Sequence, residues 1–251
     1  MTAWQLHRSS SATTSIANYK IINGLKEFIS ELIDLPTLLK LCALNGKELS
    51  DKRISDYSLE VIELDEPDKK HYFPYGYVNN YRYKTENNRL DRIYLDGPIG
   101  ILLLYKGKPN AILSFTAKDK KTLILNQLQP IFAYKLEDGK DPTHDNRISP
   151  RGLMAIDWEK LMVTIGETVA GYFGFSAVAI LGGVNSKWIK EKNDDGTPHM
   201  TLKEAIKRYD NSAKRLFYIK GKDKNWYKDI EMQKVTPTSQ QTQNKPLELV
   251  A

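Results

Sequence analysis

Three apolar runs separated by two short polar breaks constrain this chain more than any other feature. Residues 99–105 (IGILLLY), 110–117 (NAILSFTA) and 122–129 (TLILNQLQ) have strand length, and residues 106–109 (KGKP) and 118–121 (KDKK) are tight and polar. Short apolar runs joined in this way fold back on one another as an antiparallel meander. The lysines in both breaks keep the hairpin tips in water.

Beyond the meander the period changes from that of a strand to that of a helix. Asp157 stands as a cap ahead of a stripe formed by Trp158, Leu161, Met162, Ile165, Val169, Tyr172 and Phe173, which predicts an amphipathic helix. Gly174 stops it, and residues 176–181 (SAVAIL) form a buried strand that ends at Gly182-Gly183. The run Thr201-Leu202-Lys203-Glu204 is a capping box. It opens a second helix with the stripe Leu202, Ala205, Ile206, Tyr209 and Ala213. Strands are expected at 215–220 and 225–230. Upstream, Ile21, Leu25, Phe28, Ile29 and Leu32 place a helix over 16–35. Pro36 opens another over 36–44, and Asn45-Gly46 ends it.

Residues 57–64 lean to a strand. Residues 71–84 (HYFPYGYVNNYRYK) interleave tyrosines with Arg82 and Lys84, and Pro74, Gly76 and Asn79-Asn80 argue for turns there. The expected architecture is α/β, a mixed and mostly antiparallel sheet flanked by helices. It comprises a single domain over 16–232, with a helical pair at 16–46 and a core at 96–230. A flexible segment at 1–15 precedes it. A polar tail at 233–251 is expected to be disordered. The polar connection 130–156 is long enough to be a functional loop.

Of the 251 residues, 41% are hydrophobic and 27% charged, enough for an ordinary core. No apolar run reaches the roughly 18–20 residues of a membrane span, so no membrane partner is expected. The N-terminal residues lack the apolar centre of a signal peptide, and the sole cysteine, Cys42, excludes an intrachain disulfide. Both fit a cytoplasmic protein. Four histidines scattered at His7, His71, His144 and His199 predict no metal site. The net charge of +6 suits phosphate groups, on coenzyme A or on nucleic acid, and equally suits a solvated lysine surface.

The order strand–strand–strand–helix–strand–helix–strand over 96–230 resembles the core of the GNAT superfamily of N-acetyltransferases. The resemblance implies an acyl-CoA donor and an amine acceptor. The donor's pantetheine would lie where the fourth and fifth strands, here 122–129 and 176–181, separate. Its pyrophosphate would sit at the start of the helix after Asp157, where free N–H groups and the helix dipole favour an anion. Residues 147–152 (RISPRG) would be the phosphate loop. Implied cofactor contacts are Gln129, Arg147, Arg151, Gly152 and Asn185. Tyr209 is the implied acid for the leaving thiolate, and Gln127, Tyr75 and Tyr77 would face the acceptor. The loop departs from the family's Gln/Arg-x-x-Gly-x-Gly/Ala, with Ser149 three before Gly152 and Met154 two after it. Asn126, Gln127 and Gln129 stand where a glutamate base is common.

Two functions therefore stand open. One is an acyl-CoA-dependent N-acyltransferase. The other is a catalytically inactive acetyltransferase-like binding module that contacts nucleic acid or a protein through 71–84. The loop before Asp157 separates them, because a working enzyme needs several N–H groups converging there.

Overall fold

A computed structural model describes residues 12–44, 49–63, 76–84, 90–131, 133–134, 147–148, 151–190, 192, 196–198 and 200–230. Helices α1 (Ala12–Glu31), α2 (Leu35–Leu41) and α3 (Asp51–Ile54) come first. Strands β1 (Tyr57–Glu63), β2 (Gly76–Lys84), β3 (Leu90–Leu95), β4 (Ile99–Tyr105), β5 (Lys108–Ala117), β6 (Thr122–Pro130), β7 (Ala133–Tyr134) and β8 (Arg147–Ile148) follow. A 3-10 turn (Arg151–Ala155) leads into helix α4 (Trp158–Tyr172) and strand β9 (Ala177–Ile180). The chain continues through α5 (Leu202–Ala205), a π-helical turn (Ile206–Asp210) and α6 (Asn211–Arg215). It closes with β10 (Ile219–Lys220) and β11 (Trp226–Asp229).

Seven strands form one sheet in the order β1-β4-β5-β6-β9-β11-β10. Every neighbouring pair is antiparallel except β6 and β9. The expected α/β architecture and the three-strand meander are thus present, and β1 extends the sheet beyond the predicted core. No helix among the described residues is long and apolar enough to cross a membrane.

Alternation along the strands separates two faces. Ile101, Leu113, Leu125 and Val178 are buried on one face against Leu161, Ile165 and Val169 of α4 and Leu25 and Phe28 of α1. Leu102 and Ile112 project to the opposite face, where they pack with Ile93 and Leu95 of β3. The long helix forms as its stripe predicts. Asp157 caps it by accepting the Lys160 N–H at 3.2 Å.

The geometry that matters for function lies at the centre of the sheet. Thr122–Leu125 pair with Ala177–Ile180, and the Leu181 N–H reaches the Leu125 carbonyl at 3.1 Å. There the pairing ends. Against β5 the register slips, so that Phe115 faces Leu125 but Ser114 faces Gln127. Asn126 is the extra residue of a β-bulge, which bends a strand and sharpens its twist. β6 runs on to Pro130 while β9 stops, so the two parallel strands part.

Three expectations give way. Residues 71–84 were expected to hold turns, but nine of them form β2, paired with β3. A register shift between Tyr77 and Arg82 takes up the irregularity that Asn79-Asn80 signals. Residues 215–220 were expected to be a strand, but α6 runs to Arg215. Its end is a left-handed Phe217 at φ 63°, with the Tyr218 N–H returning to the Ala213 carbonyl at 3.0 Å, and only Ile219 and Lys220 remain as strand. The stripe on the second helix is also broken. The π turn advances the chain by one residue, so Tyr209 and Asp210 are both buried while Leu202 and Ile206 are exposed. The tail at 233–251, residues 1–11 of the N-terminal segment and residues 135–146 of the connection 130–156 lie outside the described residues, while residues 12–15, expected to be flexible, open α1.

Candidate ligand cleft at the strand parting

Polar side chains from four elements converge where β6 and β9 part. Gln127, on the bulged end of β6, is only 3% exposed. Its amide donates to the Tyr94 carbonyl at 3.1 Å and accepts the Asp96 N–H at 3.2 Å. This fixes the loop after β3 across the bulge. Asp96 in turn accepts the Trp188 indole N–H at 3.0 Å and stands 3.1 Å from the Lys187 ammonium. Lys187 donates to the Tyr94 hydroxyl at 2.9 Å and lies over both the Tyr94 and Trp188 rings, at 4.5 and 4.6 Å. Cation, carboxylate and two aromatic faces are thus assembled in one place, sheltered from water, where such contacts are strongest.

Tyr209 enters from the π turn and is 2% exposed. Burial pushes its phenol far above the ordinary tyrosine range, and the negative charge of Asp96 pushes the same way. The Arg208 charge and the Ser186 hydroxyl oppose the shift. Open α/β sheets bind ligands beyond the carboxyl ends of the strands, where the strand order turns, and the cluster occupies that position.

The predicted residues divide. Gln127, Gln129 and Tyr209 gather at the parting, and Gln129 lies 3.4 Å from the Gln127 amide nitrogen. Asn185 is at its mouth, donating to the Asp223 carbonyl at 2.8 Å and to Asn225 at 2.7 Å. Gly152 lies elsewhere. Its N–H goes to Asn110 at 3.2 Å, and its carbonyl accepts the Tyr57 hydroxyl at 2.5 Å. A Cβ on Gly152 would fall 2.6 Å from Tyr105, so that glycine is a packing residue. Tyr75 and the side chains of Tyr77, Arg147 and Arg151 lie outside the described residues.

The helix start that would receive a pyrophosphate is occupied by the chain itself. Arg215 forks onto Asp157 and also donates to Glu159 at 2.8 Å. The Ser212 hydroxyl meets Glu159 at 2.8 Å, and the Asp157 N–H goes to the Cys42 carbonyl at 2.7 Å. Burial would raise the Asp157 carboxyl, but Arg215 and the Lys160 N–H outweigh it and hold it below the usual carboxylate range. An incoming phosphate would find the Lys160 N–H already capped and would have to break the Asp157–Arg215–Glu159 network. These residues do not fit the pyrophosphate of a coenzyme A thioester.

That cap is open to test. Asp157→Ala is expected to cost about 1–2 kcal/mol, for the lost cap and a partly exposed ion pair. Asp157→Asn, which keeps a cap acceptor, should cost less. Because folding depresses the Asp157 pKa, its contribution is complete above the unfolded value near 3.9 and disappears as pH falls through the folded one. The melting-temperature gap between wild type and Asp157→Asn should therefore close in acid. A gap that persists there would mean that the Asp157 charge is not what separates the two proteins.

Sequence reading overlooked Lys187, Trp188, Tyr94 and Ser186, and it left Asp96 without a role. The available signal was the local density of aromatic and charged residues at the end of β3, in 94–96, and in the segment that follows β9, in 186–188.

No family model, no curated protein and no solved structure matches this chain.

Proposed function

We propose that the chain has an N-acetyltransferase-like fold and works as a binding module for an acidic partner. The fold reading is supported by the four-strand run β1-β4-β5-β6, the crossover through α4 to a parallel β9, and the parting of β6 and β9 at a bulge. The functional reading is carried by one observation: Asp157, Glu159 and Arg215 fill the N-terminus of α4. Ahead of that helix, the N–H groups of Gly152 and Asp157 are both committed to protein acceptors.

Thermal melting with acetyl-CoA is the direct test. The module reading expects an unchanged melting temperature at millimolar ligand. A bound donor would stabilise the fold by about 2.7 kcal/mol at 100 times its dissociation constant, a rise of several degrees for a domain of this size. That rise would sink the module reading.

One observation favours the second reading, acyl transfer to an amine. Tyr209, the residue the resemblance assigns to the leaving thiolate, stands buried beside Asp96 at the parting, and its raised pKa keeps the phenol protonated. A melting shift with acetyl-CoA would put this reading first.

A further inference from the structure

Two lysine-rich turns from opposite halves of the chain are joined by one side chain, the first at the start of β6, where it pairs with β9, and the second beside the end of β9. The first, residues 118–121, joins β5 to β6, and the second, residues 221–225, joins β10 to β11. The Lys118 ammonium bridges them. It lies 2.6 Å from the Asp223 carboxylate, donates to the Tyr227 hydroxyl and stands 4.9 Å from the centre of the Tyr227 ring. Tyr227 donates to Asp223 at 2.5 Å. Burial would raise the Asp223 carboxyl, yet Lys118 and Tyr227 draw it down to about 2.

Both acidic residues of these turns are committed inward. Asp223 is held by Lys118, Tyr227 and Asn225. Asp119 accepts the N–H groups of Lys121 and Thr122, each at 2.8 Å. Lys120, Lys121, Lys222 and Lys224 are exposed, and among the described residues none of them pairs with a carboxylate. The result is a cationic surface whose scaffold is pinned while its four outer ammonium groups face water.

We propose that these four lysines bind the phosphodiester backbone of a nucleic acid. The inference rests on the binding-module reading and names its partner. Flexible ammonium groups suit phosphate oxygens whatever the base sequence. Protein interfaces are depleted in lysine and built around buried aromatic or arginine anchors, and the four outer positions hold none. A membrane-surface site needs apolar side chains to insert beside its cations; Phe217 and Ile219 are exposed ahead of the second turn, but residues 118–121 offer none. Asn185 ties the second turn to the segment after β9 by its bond to the Asp223 carbonyl at 2.8 Å.

The test is fluorescence anisotropy of a short labelled duplex with the full chain over a range of salt. Four phosphate contacts predict a slope of log affinity against log salt of about −3.6. The double variants Lys120→Glu/Lys121→Glu and Lys222→Glu/Lys224→Glu should each make that slope shallower by about two. Each should also weaken binding by about tenfold or more at low salt. Melting temperatures will show that both remain folded. Lys203→Glu/Lys207→Glu, exposed on the helix after the capping box, should bind as the wild type does. Wild-type affinity in both turn variants would overturn the proposal. So would binding to poly-glutamate without binding to the duplex, although that outcome leaves a module for an acidic protein. A melting rise with acetyl-CoA strikes the module reading itself and is scored separately.

Discussion

Gly182→Ala is expected to lower the melting temperature by ten degrees or so, or to prevent folding. The backbone of Gly182, at φ −71° and ψ 143°, suits any residue, so the cost is purely one of space. A Cβ there would overlap the backbone carbonyl of Lys224, which no rotamer change relieves. Accommodating it means moving the 221–225 turn away from the end of β9. That movement would break the bond from the Gly182 N–H to Asn225, at 3.0 Å, and the Asn185 bond to the Asp223 carbonyl. Overpacking commonly costs about 1–3 kcal/mol and more where backbone must move, and here more than one hydrogen bond is lost with it. At roughly 2–4 °C per kcal/mol for a chain of this length, a drop of about ten degrees follows. A variant melting within two or so degrees of wild type would mean that the turn is not docked.

Asp210→Ala should be nearly as damaging. The carboxylate is 3% exposed. It accepts the Gly183 N–H at 2.7 Å and the Lys220 ammonium at 2.9 Å, beside the Trp226 indole. Burial would raise its pKa, but the Gly183 N–H, Lys220 and Trp226 together hold it below the ordinary value. Removing it strands a buried donor and a half-exposed cation, at a cost of about 3 kcal/mol. Asp210→Asn keeps an acceptor for Gly183 and should lose about half as much. The folded pKa is depressed, so the charge stabilises fully above the unfolded value near 3.9, and that stability is lost as pH falls through the folded one. Urea midpoints from neutral to acid pH should show wild type converging on the Asn variant. Parallel curves would mean that the charge on Asp210 contributes nothing.

Much of the fold was legible because it depends on local pattern. The meander, the helix after Asp157, the buried strand at 176–181 and the capping box at Thr201 each carry a period or a cap that fixes them without reference to the rest of the chain. The errors fall where tertiary structure sets the conformation. Phe217 adopts a left-handed helix end that no glycine announces. The π turn at Ile206–Asp210 lets Tyr209 and Asp210 both turn inward, Asp210 onto the Gly183 N–H. β2 exists only through its pairing with β3.

The candidate site was half legible. Gln127 and Tyr209 lie on elements whose period could be read. Asp96 and Lys187 lie 91 residues apart in loops, and only the sheet order brings them together. The arginines before Gly152 drew attention as phosphate ligands, whereas the charge that matters at that helix is Arg215, some 58 residues beyond Asp157.

The brevity of β10 has a consequence for how the molecule comes apart. The sheet ends on two residues, both exposed, next to a Phe217 that is 87% exposed. So little backbone offers a poor template to a neighbouring chain, and Lys220 sits on that margin, as natural sheets arrange to avoid sticking edge to edge. The same economy leaves the margin lightly anchored. Protection of amide protons from exchange should be lowest at Ile219 and rise inward through Tyr227 to Val178, because openings of small free energy begin where few apolar contacts hold the backbone. The fraying should stop at Lys220, because its ammonium is held by Asp210 and the turn beyond it is held by Lys118 and Asn185.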